Sequence, residues 1–222
     1  MQYRFPSELA HFPSTEFYNG ELQSHIQDSA SVLVRLTTTA FPWPQVGRQQ
    51  RLVPTVFVQC ATEETTGSAS KGNEGQVELA ARIISLLQTP STTPSAAPPS
   101  EGQDGGVPPA ETKPKLTIAA LSPYSKQVTL LKGTLPSSVT CATIDAFQGR
   151  ESDVVVFSSV RCNVTHEIGF VDDPRRLNVM WTRARLGLIV IGDRATMTEM
   201  NALWKRAIES CTEVTLPPVA EE

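Results

Sequence analysis

Residues 143–160 read TIDAFQGRESDVVVFSSV, and this stretch decides the fold. Its second half, residues 153–160 (DVVVFSSV), opens on a nearly unbroken apolar run, the pattern of a strand covered on both faces. Its first half is polar and glycine-containing, and it separates that strand from another short apolar run, residues 139–143 (VTCAT). Working outward, residues 55–60 (TVFVQC), 116–121 (LTIAAL) and 188–191 (LIVI) read as further buried strands. Apolar residues at 77, 80, 83, 84 and 87 trace one face of a helix over residues 74–88, and helical stretches are expected over about 125–132, 174–185 and 196–210. Asp172 and Asp173 precede Pro174, an N-cap followed by proline at the first helical position. Strands alternating with helices, with few tight hairpins, predict an α/β fold: a mostly parallel sheet with helices on both faces. In such sheets ligands sit beyond the carboxyl ends of the strands. The loops after Thr143 and Val160 and the helix after Pro174 are therefore where chemistry is expected.

The chain has 222 residues, 40% of them hydrophobic, which suits one domain of roughly 100–200 residues with appendages. Its formal charge of −4 excludes a binder that relies on bulk positive charge, so any nucleic-acid contact has to be local. The longest apolar runs, 154–157 and 188–191, fall far short of the roughly 18–20 residues that span a bilayer, and no basic-then-apolar leader is present. The expectation is a protein without membrane contact, in cytoplasm or nucleus. Cys60, Cys141, Cys162 and Cys211 form no C-x-x-C pair and lie apart from His11, His25 and His166, so they read as small buried hydrophobes and no metal site is expected. Residues 89–115 hold seven prolines, three glycines and Val107 as the one bulky apolar side chain, a composition that predicts a disordered insertion.

Two segments carry candidate chemistry. In the loop of residues 143–153, Gly149 lets the backbone approach a ligand, Gln148 offers a two-sided amide, and Glu151 can accept from a pair of hydroxyls, although the same residues also suit a solvated loop. Residues 174–185, PRRLNVMWTRAR, place Leu177, Met180, Trp181 and Ala184 on one apolar stripe if helical throughout, so Trp181 reads as core. Arg176 and Arg183, seven apart, lie on one side of the stripe, while Arg175, Asn178, Thr182 and Arg185 line the opposite polar side; the four arginines suit either a solvated face or phosphate recognition.

Residues 143–161 (TIDAFQGRESDVVVFSSVR) and 168–193 (IGFVDDPRRLNVMWTRARLGLIVIGD) resemble motifs V and VI of superfamily 1 helicases, in the branch that contains the nonsense-mediated-decay RNA helicase. Residues 2–4 (QYR) and 12–22 (FPSTEFYNGEL) resemble that family's motif IV and the run after it, with Phe5, Pro6 and Ser7 where the family has Met, His and Pro. Residues 121–127 (LSPYSKQ) resemble its T-P-Y-x-x-Q loop, so the likeness spans the chain apart from residues 26–53 and the insertion. The resemblance implies the second of two RecA-like motor domains, with ATP in the cleft between them. It implies that Tyr3 stacks on adenine, Arg4 reaches the γ-phosphate, Glu151 holds the ribose hydroxyls, and Gln148 and Gly149 lie close to the nucleotide. Arg183 becomes the arginine finger on the transferred phosphoryl group, while Ser122, Pro123 and Thr143 follow a single strand of RNA or DNA.

No G-x-x-x-x-G-K-[ST] and no acidic D-E-x-x magnesium motif occurs in the sequence. The expectation is thus a RecA-like domain without its own P-loop, a fragment or truncated gene product that does not hydrolyse ATP alone. The Mg2+ ligands would come from a first motor domain. A rival reading is a nucleic-acid-binding or scaffolding module that has lost its ATPase half; a Rossmann oxidoreductase fails for want of a G-x-G-x-x-G after any predicted strand. Domain organisation follows: a motif IV segment and connection (1–53), a first part of the RecA-like domain (54–88), the insertion (89–115), the remainder (116–212) and a tail (213–222).

Overall fold

A computed structural model describes residues 1–26, 29–65, 70–91 and 115–218. Helix α1 (Ser7–Phe17) starts after Pro6 and buries Leu9, Ala10 and Phe12. Helix α2 (Ser29–Thr37) and the antiparallel pair β1 (Gln45–Val46) and β2 (Arg51–Leu52) follow. Strand β3 (Thr55–Gln59) leads to α3 (Glu74–Gln88), which is capped by the Asn73 side chain accepting from the Gln76 N–H. Next come β4 (Ile118–Ser122), α4 (Ser125–Thr134), β5 (Thr140–Thr143) and β6 (Ser152–Ser158). Helix α5 (Pro174–Trp181), β7 (Ala184–Gly192), α6 (Arg194–Thr198), α7 (Ala202–Glu209) and β8 (Thr212–Glu213) complete the described chain.

The main sheet has the order β5-β4-β6-β7-β3-β8, and every neighbouring pair is parallel. Successive side chains leave opposite faces. Val155, Phe157, Leu188 and Val190 therefore meet Leu9 and Phe12 of α1, Leu177, Met180 and Trp181 of α5, and Trp204 of α7. Val154, Val156, Ile189 and Ile191 face Leu33 and Leu36 of α2 and Ile83 and Ile84 of α3 on the other side. Each such buried side chain contributes about 1.5–3 kcal/mol, and a one-residue slip would exchange the two faces of a strand. This is the expected RecA-like sheet between helical layers. Residues 29–53, which lie outside the resemblance, join the second layer through Leu33, Leu36, Phe41, Trp43 and Leu52.

Three expectations change. The helix expected over residues 174–185 stops at Trp181; Thr182 donates its N–H and hydroxyl to the Asn178 carbonyl, and Ala184 already pairs with Ser152. Arg183 thus sits in the turn and Arg185 on β7, not on a helical face, because matching a seven-residue buried β6 outweighs the helix propensity of Arg-Ala-Arg. The helix expected over 196–210 is two helices, broken where the Asn201 side chain accepts from the Trp204 N–H and starts α7 afresh. Trp181 is core as expected, with 1% of its surface exposed. Of the insertion 89–115, Thr89 accepts from the Ala40 N–H at 2.8 Å and the Ser91 N–H donates to Thr38 O at 2.9 Å, while residues 92–114 lie outside the described residues.

Candidate nucleotide-facing site

The first residues of the chain form a tight loop around one side chain. Gln2 Oε1 accepts from the N–H groups of Arg4 (2.8 Å) and Phe5 (3.1 Å), and its Nε2 donates to the Phe5 carbonyl at 2.6 Å. Phe5 is buried in the core, and the Ser24 hydroxyl also donates to its carbonyl. With Gln2 and Phe5 fixed, Tyr3 projects outward, 69% exposed, its ring centroid 4.8 Å from that of His25. Arg4 turns the other way: its Nε donates to Glu151 Oε2 at 2.6 Å and its Nη1 to the Thr182 carbonyl at 3.1 Å.

Arg183 reaches the same place through sheet pairing. Ser152 begins β6 opposite Ala184 of β7, and its N–H donates to the Arg183 carbonyl at 3.1 Å, so Glu151 and Arg183 are held side by side. The Arg183 guanidinium donates to three neutral oxygens, Val179 O (3.0 Å), Thr182 Oγ1 (3.2 Å) and Arg150 O (3.4 Å), and it makes no ion pair among the described residues. Burial and then the positive charge of Arg4 push its pKa down from the usual arginine value. The Glu151 carboxylate, already paired with Arg4, offsets that lowering only in part, so Arg183 is left without a carboxylate partner of its own among the described residues, a setting that a phosphate would suit. Beside them opens a pocket of about 370 Å3 lined by Gln2, Tyr3, Arg4, Phe5 and Glu151.

Tyr3, Arg4, Glu151 and Arg183 therefore converge, drawn from three distant segments. Gln148 and Gly149 stand on the exposed loop leading to Glu151, and neither they nor Arg183 line the pocket itself. Gly149 has φ +83° with open space where a Cβ would lie, so its backbone angle rather than crowding calls for glycine. The location corrects an expectation: this cluster stands at the amino ends of β6 and β7, not beyond the carboxyl ends. The carboxyl-end rule applies where a domain's own strand-to-helix loops cradle the ligand. Here the groups come from residues just before two strands.

Ser122, Pro123 and Thr143 do lie at the carboxyl ends, where β4 and β5 pair Ser122 with Thr143. The Ser122 side chain is fully buried and accepts from the Tyr124 N–H at 3.3 Å, which withdraws it from any strand lying on the surface. Pro123 and Thr143 are half-buried, and Thr143 Oγ1 accepts from the Ala146 N–H at 3.2 Å.

Sequence reasoning missed the support beneath Glu151. Arg185 Nη1 lies 3.5 Å from Glu151 Oε1, and its Nη2 donates to Asp153 at 2.9 Å. Asp153 is 2% exposed; burial alone would raise its pKa, but the backbone and side-chain hydrogen bonds from Thr117 and the charges of Arg185 and Arg35 hold it below the usual carboxylate range. The available signal was a carboxylate opening an apolar strand, with an arginine near the start of the neighbouring one. Among the described residues no group of three or more His, Cys, Asp or Glu side chains is placed to hold a metal ion, and no helix is long and apolar enough to cross a membrane.

Residues 1–195 match the AAA-domain family. The chain is 32% identical over 210 residues to regulator of nonsense transcripts 1 of Dictyostelium discoideum, covering 94% of this chain and 14% of that protein. It is equally 32% identical over 210 residues to the ATP-dependent helicase NAM7 of Saccharomyces cerevisiae, covering 94% and 20% respectively. Against the DNA polymerase alpha-associated DNA helicase A of the same yeast it is 30% identical over 226 residues, covering 96% and 30%. The chain thus spans between about a seventh and under a third of the length of these relatives. With its parallel sheet, the chain belongs to this AAA-domain family, with the RecA-like fold, and is similar over most of its length to superfamily 1 helicases of the nonsense-mediated-decay branch.

Proposed function

We propose that this chain supplies one wall of the ATP cleft of an RNA or DNA helicase and part of its single-strand track. The observation that carries the reading is the convergence of Arg4, Glu151 and Arg183 beside the exposed ring of Tyr3 and an open pocket. Tyr3 offers a stacking face for adenine, and Glu151, steadied by Arg185, offers a carboxylate to the ribose hydroxyls. Arg4 and Arg183 present forks to the γ-phosphate, where Arg183 stabilises charge that grows as the phosphoryl group transfers to water. Binding of ATP would take Arg4 from Glu151 and return an anion to the paired guanidinium groups. The P-loop and the carboxylates for Mg2+ are assigned to a first motor domain, so the chain alone is inactive. Pro123 and Thr143, at the opposite ends of the strands, are assigned to the nucleic acid.

The test is to measure ATP hydrolysis by the purified chain and by the same chain joined to a P-loop-bearing first domain. No turnover alone, and nucleic-acid-stimulated turnover when joined, is expected. Turnover by the isolated chain would refute the division of labour. Strand binding by the joined protein without any hydrolysis would favour the nucleic-acid-binding or scaffolding alternative.

A further inference from the structure

Phe170 is an aromatic side chain held out in water by a loop that is fixed on both sides. Its neighbours Ile168 and Val171 are buried in the core, and Val171 O accepts from the Trp204 indole N–H at 2.7 Å. Gly169 has φ +55°, and a Cβ there would come within 2.3 Å of Arg161 Nη1 and 3.1 Å of the Tyr124 hydroxyl. The position before Phe170 thus requires glycine and packs tightly on Arg161 and Tyr124. Upstream, Asn163 ties the loop to itself: its Oδ1 accepts from the Glu167 N–H at 3.1 Å and from Thr165 Oγ1 at 2.8 Å, and its Nδ2 donates to Glu167 O at 2.9 Å. Phe170 is nevertheless 59% exposed. A single exposed apolar side chain is ordinary on a mobile loop. One presented by a loop anchored in a charged, buried framework has lost the freedom that would let it hide.

Its surroundings specify the ligand. Tyr124, the residue after Pro123, meets the Phe170 ring at 5.8 Å and 61°, so the ring stands beside the proposed strand track. The Arg176 guanidinium lies 5.9 Å from the ring centroid, and its Nε and Nη2 donate to Asp145 at 3.2 and 3.0 Å. With its fork engaged by a carboxylate, Arg176 is a flat neighbour rather than an unpaired cation, and Asp145 would repel a phosphate. Arg176 stands over one side of the ring, and what remains attractive is the rest of an exposed ring, which suits a nucleobase whatever its identity.

We propose that Phe170 is the stacking platform for one unpaired base of a single-stranded nucleic acid. The inference deepens the strand-binding half of the proposed function and rests on it. It also fits a chain of net charge −4, in which contact has to be local and cannot depend on bulk positive charge.

The experiment is fluorescence anisotropy of a short labelled single-stranded oligouridylate titrated with the full chain, with sedimentation in parallel. Phe170→Ala is expected to weaken binding by roughly 5- to 150-fold, the range for one lost stacked base, while Phe170→Trp stays within about threefold of the parent. The slope of log affinity against log salt is expected to stay unchanged, because no charge is removed. Equal affinity for parent and Phe170→Ala would overturn this inference alone. No binding by the parent chain would overturn the strand-binding reading and this inference with it. A change in the salt slope would assign the effect to phosphates and refute stacking. Self-association that Phe170→Ala abolishes, at unchanged RNA affinity, would assign the ring to a protein contact and equally refute the proposal.

Discussion

Replacing Arg183 with alanine separates a nucleotide-facing guanidinium from a structural one. In the structure Arg183 gives hydrogen bonds to the Val179 and Arg150 carbonyls and the Thr182 hydroxyl. Bonds from charged donors contribute about 1.5–3 kcal/mol each at best, and the one to Val179 also caps a helix C-terminus, where a cation is favoured. Opposing this are its own burial and the neighbouring Arg4, which together lower its pKa. The two effects largely offset, so Arg183→Ala is expected to change stability by about 1 kcal/mol or less, a melting shift of roughly 2–4 °C for a domain of this size. In the two-domain protein the effect on turnover is of another order. A finger that acts on transition-state charge supplies a factor of about 10³–10⁵ in kcat, with a much smaller change in nucleotide affinity. Arg183→Lys is expected to fail as well, because an ammonium cannot present two parallel donors. Arg175→Ala, at an exposed position of α5, is the control. The assay is steady-state ATP hydrolysis at saturating RNA, with thermal melts alongside. Near-normal turnover for Arg183→Ala, or equal mild effects at 175 and 183, would refute the assignment.

Further expectations concern the frame. A Cβ at Gly187 would lie 2.5 Å from Trp43 Cη2, so Gly187→Ala is expected to destabilise by about 1–3 kcal/mol in denaturant unfolding, and Trp43→Leu in the same chain to recover part of the loss. Replacing residues 92–114 with a short flexible linker should leave the melting temperature nearly unchanged, whereas extending the deletion back to Thr89 removes the bonds to Ala40 and Thr38 and lowers it. Glu64 feels burial most, which pushes its carboxyl up, yet hydrogen bonds from Lys71, Arg161, Asn163 and the Cys162 N–H together bring it below the usual value, as Thr117, Arg185 and Arg35 do for Asp153. Depressed carboxylates stabilise fully above their unfolded pKa of about 4 and lose that contribution as pH falls through the lowered folded value. These two groups therefore predict level stability from about pH 5 upward and an acid-side loss that Asp153→Asn makes shallower.

What the sequence revealed and what it hid follow from the range of the interactions. The DVVVF run identified β6 as central because burial on both faces is written in adjacent residues, and Asp173 with Pro174 marked the start of α5 locally. The end of α5 depended on Ser152 pairing with Ala184, a contact between residues 32 apart that leaves no periodic trace. Local pattern therefore carried the helix through Arg185. The Asp153 support for Glu151 was hidden for the same reason, since its partners Arg35, Thr117 and Arg185 come from three separate segments. Pattern could name Arg183, but only the turn between α5 and β7 explains why it lies near the charge of Arg4 and donates to Arg150 O rather than standing on a helical face.

The same turn bears on how a strand at one end of the sheet can influence chemistry at the other. Thr143 closes β5 at the carboxyl ends and Glu151 precedes β6 at the amino ends, so residues 144–151 run between the two proposed sites. Helix α5 is tied to them through Arg176, which donates to Asp145 near the proposed strand track, and through the turn after the helix, where Arg183 donates to Arg150 O near the proposed nucleotide wall. A displacement of residues 144–151 by a bound strand would therefore pull on the helix that leads to Arg183, the proposed finger. Asp145→Ala tests this link. The Arg176 pair is largely solvated, with Asp145 66% exposed, so its loss should change stability by under about 1 kcal/mol. In the two-domain protein the expected result is near-normal basal hydrolysis with nucleic-acid stimulation reduced by about 5-fold or more, the low end of ordinary coupling energies. Reciprocity holds for binding, so an ATP analogue's effect on RNA affinity should weaken by the same factor as RNA's effect on the affinity for that analogue. Equal reduction of basal and stimulated turnover would mean that Asp145 serves the cleft itself, and unchanged stimulation would mean that the coupling takes another route.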